Sequence, residues 1–358
     1  MRLHILASLV ILASLYLLYP MAVGADESLV LCLSFDGLSG TEVRDFSEYG
    51  NNGELRGEPE LVDGRIGKAL WFDGIDDWVE IPDSISLRVS EEVTVMAWIN
   101  TERHEFPGAG WQGIIAKSNW PTRSYSFYTE WEGHLHFSIF LSEPQFLEFG
   151  SISDEMVPLQ QWVHVAAVAQ TSSGGGIHRY YINGDPVGEW FFPDMTSLPG
   201  DTDTEPVLIG RTWEDARFFL GYIDEVRIWN RALDDDEIGM QVEMTTQELL
   251  LSSLPDCIEG MDIHKGIKNS LIAKVDAAYA ALERGMIHTA VNILQAFMNE
   301  VEAQSGKKLS DGQAERLVSL VSAIIDSLYG GVDLAPGRGQ RPNPGNKLSG
   351  VWGNIKMR

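Results

Sequence analysis

The chain has 358 residues with 52 acidic against 26 basic side chains, a net charge of −26. That balance excludes nucleic-acid binding through a general basic surface, because phosphate contact needs clustered Lys and Arg. A 44% hydrophobic fraction with 10% aromatics excludes a wholly disordered chain, and two cysteines make neither a disulfide framework nor a Cys-only zinc site.

Residues 1–25 read as a signal peptide. Arg2 is the single positive charge, Leu3–Tyr19 form one apolar run, Pro20 breaks it, and Val23-Gly24-Ala25 set small residues before a cut after Ala25. The run falls short of the roughly 20 residues of a membrane span, and no second run of that length follows. The mature chain is therefore expected outside the cell or on its surface, without a membrane span. Export makes a Cys32–Cys257 disulfide chemically possible, while the simpler reading of Cys32 is a small core residue.

Residues 26–245 carry 40 acidic and 13 basic side chains and ten of the eleven Trp. Short apolar or alternating runs predict strands at Ser28–Phe35, Trp78–Ile81, Val93–Ile99, Trp162–Val168, Arg179–Ile182 and Tyr222–Trp229. Turn residues separate them at Asn51-Asn52-Gly53, Asp73-Gly74, Gly174-Gly175-Gly176 and Asn183-Gly184. Many short strands without intervening helices predict a mainly β chain, an antiparallel sandwich of a dozen or so strands. Residues 246–261 read as a linker.

From residue 262 the period changes. Ile267, Leu271, Val275, Ala278 and Leu282, then Ala290, Leu294, Phe297 and Val301, then Leu317, Leu320, Ile324 and Leu328 recur at three and four. These predict three amphipathic helices over 262–330. Gly285 and Gly306 are placed to end the first two, and Ser310 with Gln313 opens the third as a capping box. Residues 331–358, with Pro336, Pro342, Pro344 and five basic residues, read as a flexible tail.

Four blocks then carry a family resemblance. They are Asp45-Phe-Ser-Glu-Tyr-Gly-Asn-Asn-Gly53 with Gly67-Lys-Ala-Leu-Trp-Phe-Asp-Gly-Ile-Asp-Asp-Trp-Val-Glu-Ile-Pro82; Trp162-Val-His-Val-Ala166; Tyr181-Ile-Asn-Gly184; and Gly221-Tyr-Ile-Asp-Glu-Val-Arg-Ile-Trp-Asn-Arg-Ala-Leu233. Over residues 28–243 the chain resembles the laminin-G-like, concanavalin-A-like lectin/glucanase domains, which implies a jelly-roll of two antiparallel sheets. Over 262–330 it resembles the FIMAH helical module of secreted prokaryotic hydrolases and surface proteins.

Alternation along Tyr222–Trp229 places Asp224 with Val226 and Ile228 on an inner face, where a carboxylate needs a cation or several donors. In jelly-rolls the first and last strands lie side by side, which predicts Asp36 close to Asp224. Hard oxygen ligands suit Ca²⁺, and the resemblance implies such an ion, with Asn51 and Asp73 as further candidate ligands. Flat aromatic faces in loop stretches, Trp111, Trp120 and Trp213, near Asn119, Arg123, Glu214 and Asp215, are the candidate carbohydrate platform. Trp71, Trp98, Trp162 and Trp229 are expected in the core.

A glucanase would carry Glu-x-Asp-x-Glu on one strand. Here Tyr222 stands where the first acid belongs and no second Glu follows Glu225, and Glu130 with Glu132 reads as a solvated strand face. His134 and His136 share a strand face without a third metal ligand nearby in sequence. No metalloprotease helix, phosphate loop or nucleophile elbow is present. The expectation is a secreted, non-catalytic module for carbohydrate or glycoconjugate with a structural calcium ion. The alternatives are an adhesive cell-surface protein that binds another protein and, after it, a glycoside hydrolase.

Overall fold

A computed structural model describes residues 27–329 apart from 37, 39, 105–109, 120–121, 131, 142–145, 213–216, 245–250, 252–253, 256, 260, 262 and 283. The proposed signal peptide and basic tail thus lie outside the described residues, as do Trp120, Trp213, Glu214 and Asp215. Among the described residues no helix is long and apolar enough to cross a membrane.

The strands are β1 (Leu29–Leu33), β2 (Glu42–Val43), β3 (Gly53–Arg56), β4 (Glu60–Asp63), β5 (Lys68–Asp73), β6 (Trp78–Ile81), β7 (Glu92–Thr101) and β8 (Gln112–Asn119). They continue with β9 (Thr122–Thr129), β10 (His134–Leu141), β11 (Leu147–Met156), β12 (Val163–Ser172), β13 (Gly175–Ile182), β14 (Asp185–Phe192), β15 (Val207–Ile209) and β16 (Leu220–Trp229). Helices α1 (Asp235–Glu243), α2 (Lys265–Leu282), α3 (Ile287–Gln304) and α4 (Asp311–Tyr329) follow.

The strands form two antiparallel sheets, as expected of a sandwich. The first runs β14-β13-β12-β7-β16-β5-β4, and the second β11-β10-β9-β8-β15-β6-β3-β2. Alternate side chains of both fill one core, with Val95, Ala97, Ile99, Val165, Ala167 and Ile228 facing Ile115, Tyr125, Phe127, Phe137, Ile139 and Ile209. The Asn183-Gly184 turn has φ of 52° and 85°, the double positive-φ geometry of a tight two-residue hairpin, and joins β13 to β14.

One edge of β16 is divided. Residues 220–223 pair with β5 and residues 226–229 with β1. Opposite, β16 takes three steps, Asp224 to Arg227, while β7 takes two, Trp98 to Met96. Glu225 absorbs the extra residue as a bulge with φ of 48°. The bulge reverses the alternation read from sequence: Ile223, Val226 and Ile228 face the core between the sheets, whereas Asp224 pairs with Trp98, whose neighbours in register turn away from it.

That outer face of the first sheet is itself covered. Leu29, Cys32, Met96, Ala166, Tyr181 and Trp229 join Leu254, Cys257 and Ile258 and the apolar stripes of α2–α4, including Leu271, Leu294, Phe297, Leu317 and Ile324, in a second apolar cluster. Both cysteines are buried within it. Arg227 adds a polar clamp. It pairs with Glu225 and donates to the Gln241 side-chain oxygen at 2.9 Å and the Met244 carbonyl at 2.8 Å.

Three anticipated helix ends hold: Gly285 and Gly306 both have φ of 68°, and Ser310 and Gln313 exchange the two capping hydrogen bonds. Trp98 and Trp229 are buried, but Trp71 and Trp162 are only half-buried. Trp71 lies on the outward side of β5, where its indole donates to Glu102 at 3.0 Å, so its strand position did not make it core.

Candidate functional site

On β9 and β10 the residues that alternate with the core set are Ser126 and Tyr128, and His136 and Ser138. Register brings them side by side: His136 pairs with Tyr128 and Ser138 with Ser126. The phenol of Tyr128 and the imidazole of His136 stack at 4.7 Å and 16°. Trp111 meets both edge-on, each at 5.0 Å between centroids and 66°. The Arg217 guanidinium lies 5.1 Å from the Trp111 ring and 5.8 Å from that of Tyr128. Across the sheet, Arg123 donates to Ser138 Oγ at 2.7 Å and to Glu148 at 3.0 Å.

Gly150 on β11 pairs with Ser138, diagonal to His136, whose ring fills the space beside it. A Cβ there would come within 3.1 Å of His136 Nε2. Burial lowers the His136 pKa to about 3, helped by the charges of Arg123 and Arg217, so the ring is neutral at pH 7. Its Nδ1 has no hydrogen-bond partner among the described residues, and Glu130 Oε2 lies 4.0 Å away. Glu130 is buried rather than solvated, and desolvation raises its pKa. His134 bonds the Ser153 carbonyl at 2.8 Å instead of joining His136 around a metal.

A second group of the same kind extends the face. Trp78 and Phe218 lie 6.1 Å apart, and the Arg211 guanidinium covers both, at 4.6 and 4.9 Å. Arg211 and Phe218 are bridged as a strand pair, and the Gly113 amide donates to the Arg217 carbonyl at 3.0 Å. Arg211 is thereby tied to Phe218 and Arg217 to β8. A band of aromatic rings and guanidinium groups runs from Trp78 on β6 to His136 on β10.

The four sequence candidates for calcium do not form one cluster. Asp36, just past β1, and Asp224 on the β16 strand that β1 joins lie near enough for the charge of one to act on the other. The turn between β4 and β5 threads between them: Asp36 accepts the Lys68 amide at 2.7 Å and Asp224 the Ile66 amide at 3.0 Å. A Cβ at Gly67 would fall 2.0 Å from Asp36 Oδ1, and one at Gly64 2.6 Å from Asp224 Oδ2, so only glycine permits this approach. Asp36 is 4% exposed and Asp224 0%. Burial, then the charge of Glu225, holds Asp224 well above the usual carboxylate range, and Asp36 adds to the rise.

Asn51 belongs to another structure. Its amide NH₂ donates to the Val30 carbonyl at 2.8 Å, and its backbone N–H to Asp45 at 2.7 Å. Asp45 also accepts the Cys32 and Ser47 amides, so the Asp45–Asn52 motif is a loop clamp. Asp73 pairs with Leu220, four residues from Asp224 or about 13 Å along the strand. It accepts the Ile75 amide at 2.8 Å and clusters with Asp76 and Asp77.

A cavity of about 290 Å³ lies on β2, β3 and β6, lined by Glu42, Glu54, Arg56 and Glu80 among others. Arg56 is paired there with both Glu54 and Glu80, and no aromatic ring lines it. It offers no stacking surface, and the aromatic band is the stronger candidate. Trp111 was marked out by its loop composition. Tyr128, Arg211 and Arg217 were not, and His136 was read only as half of a histidine pair, although the alternation of 122–129 and 134–141 already set Tyr128 and His136 opposite the apolar positions.

Fold and site define a two-sheet antiparallel sandwich with an aromatic and cationic outer face. Residues 73–239 match the family described as the concanavalin A-like lectin/glucanases superfamily, of laminin-G type. No curated protein matches the chain. Among solved structures, the chain is similar to domain 4 of AbnA, an extracellular GH43 arabinanase from Geobacillus stearothermophilus, in complex with arabinotriose. Identity is 22%, coverage 60% of this chain and 98% of that one, and the TM-score 0.46. It is similar also to the binding domain of Paraclostridial Mosquitocidal Protein 1, at 18% identity, 61% and 52% coverage and TM-score 0.49. A third is the botulinum neurotoxin serotype G binding domain, at 12% identity, 60% and 50% coverage and TM-score 0.47. The chain spans about half the length of these two toxin binding domains.

Proposed function

We propose that the protein is a secreted, non-catalytic binding module that takes carbohydrate or glycoconjugate on the outer face of its second sheet. The observation that carries this reading is the Trp111–Tyr128–His136 group, with Arg217 against it, held on paired strand positions. Rigid aromatic rings beside hydrogen-bonding groups suit the apolar faces and hydroxyls of sugars. The match over residues 73–239 to a lectin and glucanase superfamily supports it. The absence of Glu-x-Asp-x-Glu around Asp224 supports a binding rather than a hydrolytic role.

A structural calcium ion belongs to the same proposal. Asp36 and Asp224 would hold it, beside the 64–67 turn. The Asp36 and Asp224 carboxylates, each held by a backbone amide of the turn, supply hard oxygens of the kind Ca²⁺ selects. The ion would fix the junction of β1, β5 and β16. The apolar run before Ala25 supports export, and the helical periodicity of 262–330 supports a FIMAH-like appendage packed on the first sheet.

A glycan-array screen of the secreted chain, with Ca²⁺ and again with EDTA, tests the reading. Glycan binding that Trp111→Ala abolishes in a folded protein is the expected result. No glycan binding, with a protein partner captured instead, would replace it with the adhesive reading.

A further inference from the structure

We infer that the outer face of the first sheet carries a second saccharide site, built on Trp71, Tyr222, Asn100 and Trp162 and suited to a neutral oligosaccharide. The inference shares the carbohydrate reading above and none of its residues, so each stands or falls on its own variants.

The site follows from register. Trp71 on β5 pairs with Tyr222 on β16, and Tyr222 with Asn100 on β7. Val163 pairs with Ile99, so Trp162, one residue before β12, lies level with Asn100. Ile99, Val163 and Ile223 face the core between the sheets, which turns Asn100, Trp162 and Tyr222 to the outer face. Trp71 reaches the same face between the core residues Leu70 and Phe72. The four form one row across β5, β16, β7 and β12, three interstrand gaps or about 14 Å.

This row lies beyond the part of the sheet that the helices cover. Met96, Ala166 and Tyr181 belong to the apolar cluster beneath the helices, and among the described residues no member of the row does. Trp98 and His164 stand between, with Arg65 4.5 Å over the Trp98 ring. All four row residues are half-buried, so their edges and faces stay open. Two tryptophans expected in the core are thus at the surface, in line with each other.

The chemistry is that of a sugar platform. The Trp162 and Tyr222 rings lie 6.0 Å apart with their planes at 57°, a twisted surface of rigid amphipathic groups that bind at low ordering cost. Asn100 stands between them in register, and its side-chain oxygen is buried with no hydrogen-bond partner among the described residues. Such an acceptor costs free energy until a donor reaches it, and a sugar hydroxyl is one. The Trp71 indole is held by Glu102 at 3.0 Å, and Glu60 pairs with Trp71 on its other side. These carboxylates accept hydroxyl protons and repel an anionic sugar, which selects a neutral ligand. The length of the row suits several linked sugars rather than one.

The test uses the full secreted chain and neutral hexaoses of glucose, xylose, mannose and galactose, read by titration calorimetry. The row lacks the second layer of rings and cations packed around Trp111 and is the weaker site, so it is read in the Trp111→Ala protein. At least one hexaose is expected to bind that protein. Tyr222→Leu or Trp162→Leu added to it should weaken binding ~10-fold or more, and Asn100→Ala about 5-fold. Each variant is read beside its melting temperature. A second measurement needs no variant of the row: the indole N–H resonances of Trp71 and Trp162 in the wild type should move as hexaose saturates the protein. Hexaose binding that Trp111→Ala removes entirely would overturn the inference and leave the carbohydrate reading standing. Binding that both Leu variants leave unchanged, resonances of Trp71 and Trp162 that stay fixed at saturation, or no hexaose bound by the wild type would also overturn it. Binding that Trp111→Ala leaves whole and Tyr222→Leu removes would uphold this site while the second-sheet site falls.

Discussion

Tyr128 on β9 and His136 on β10 occupy directly paired positions, and their rings stack 4.7 Å apart and 16° from parallel. Each strand is fixed by its own core neighbours, Phe127 and Phe137, which themselves pair and lie 6.2 Å apart on the other face. The stack is thus set by the sheet register. Trp111 leans on a preformed surface, which lowers the ordering cost of binding. Trp111→Ala is expected to weaken glycan binding by at least ~10-fold, the loss of a binding anchor. Because the ring is half-buried, the variant should still unfold cooperatively in a thermal scan.

Removal of divalent ions tests the Asp36–Asp224 junction. EDTA is expected to lower the melting temperature of the wild type, and excess Ca²⁺ to restore it. Asp224→Asn should abolish that response without removing the glycan site on the other sheet. Differential scanning calorimetry with and without EDTA checks both.

Arg227 and Glu225 are both buried, 2% and 2% exposed. Arg227→Met alone leaves the Glu225 carboxylate without its partner, and a loss of about 3–5 kcal/mol is expected. Arg227→Met with Glu225→Gln removes both charges and should recover part of it. Urea unfolding of the single and double variants gives the coupling.

By contrast, Arg316 reaches Glu48 across the boundary between α4 and the Asp45 loop, with the arginine side chain 42% exposed. Solvent screens such a pair, so Glu48→Gln is expected to cost no more than about 1 kcal/mol. Urea unfolding in low and high salt checks it.

Histidine burial gives a pH dependence with a definite sign. His164 and His178 are fully enclosed, and desolvation lowers each pKa from 6.5 to about 3. His164 sits edge-on to Trp98, and His178 bonds the Ser151 hydroxyl between the sheets. The unfolded chain binds a proton at each below pH 6.5 while the folded chain does not. This stability is therefore complete above 6.5 and declines as pH falls, by up to about 1.4 kcal/mol per group and pH unit. His164→Gln should show a shallower acid loss than wild type, and the difference between their denaturation profiles from pH 7 to 4 isolates the one group.

Much of the fold was legible because its signals are local. Alternation marks Val93–Ile99, Asn183-Gly184 states its own hairpin, and Gly285, Gly306 and Ser310 mark helix ends by backbone requirements that adjacent residues cannot disguise. The inner placement of Asp224 failed because the bulge at Glu225 exists only where β16 exchanges β5 for β1, a tertiary event that alternation cannot see. The site was legible only in fragments for the same reason. Trp78, Trp111, Tyr128, His136 and Arg217 come from five segments, and nothing in any one of them states that register and a bridged loop bring them onto one face. The nearness of Asp36 to Asp224 was accessible because the resemblance implied which strands lie together.

The divided edge of β16 also has a kinetic meaning. β1 cannot complete its pairing until residues 226–229 exist and are free to receive it, nearly 200 residues later in the chain. Among the described residues no strand pairing has a larger sequence separation, and such a closing contact costs loop-closure entropy, which slows folding. A chain still being made would hold its first strand unpaired, so the sandwich assembles only after its last strand is available. The proposed export would thread the chain unfolded and meet that condition on the far side, so late closure is compatible with that proposal.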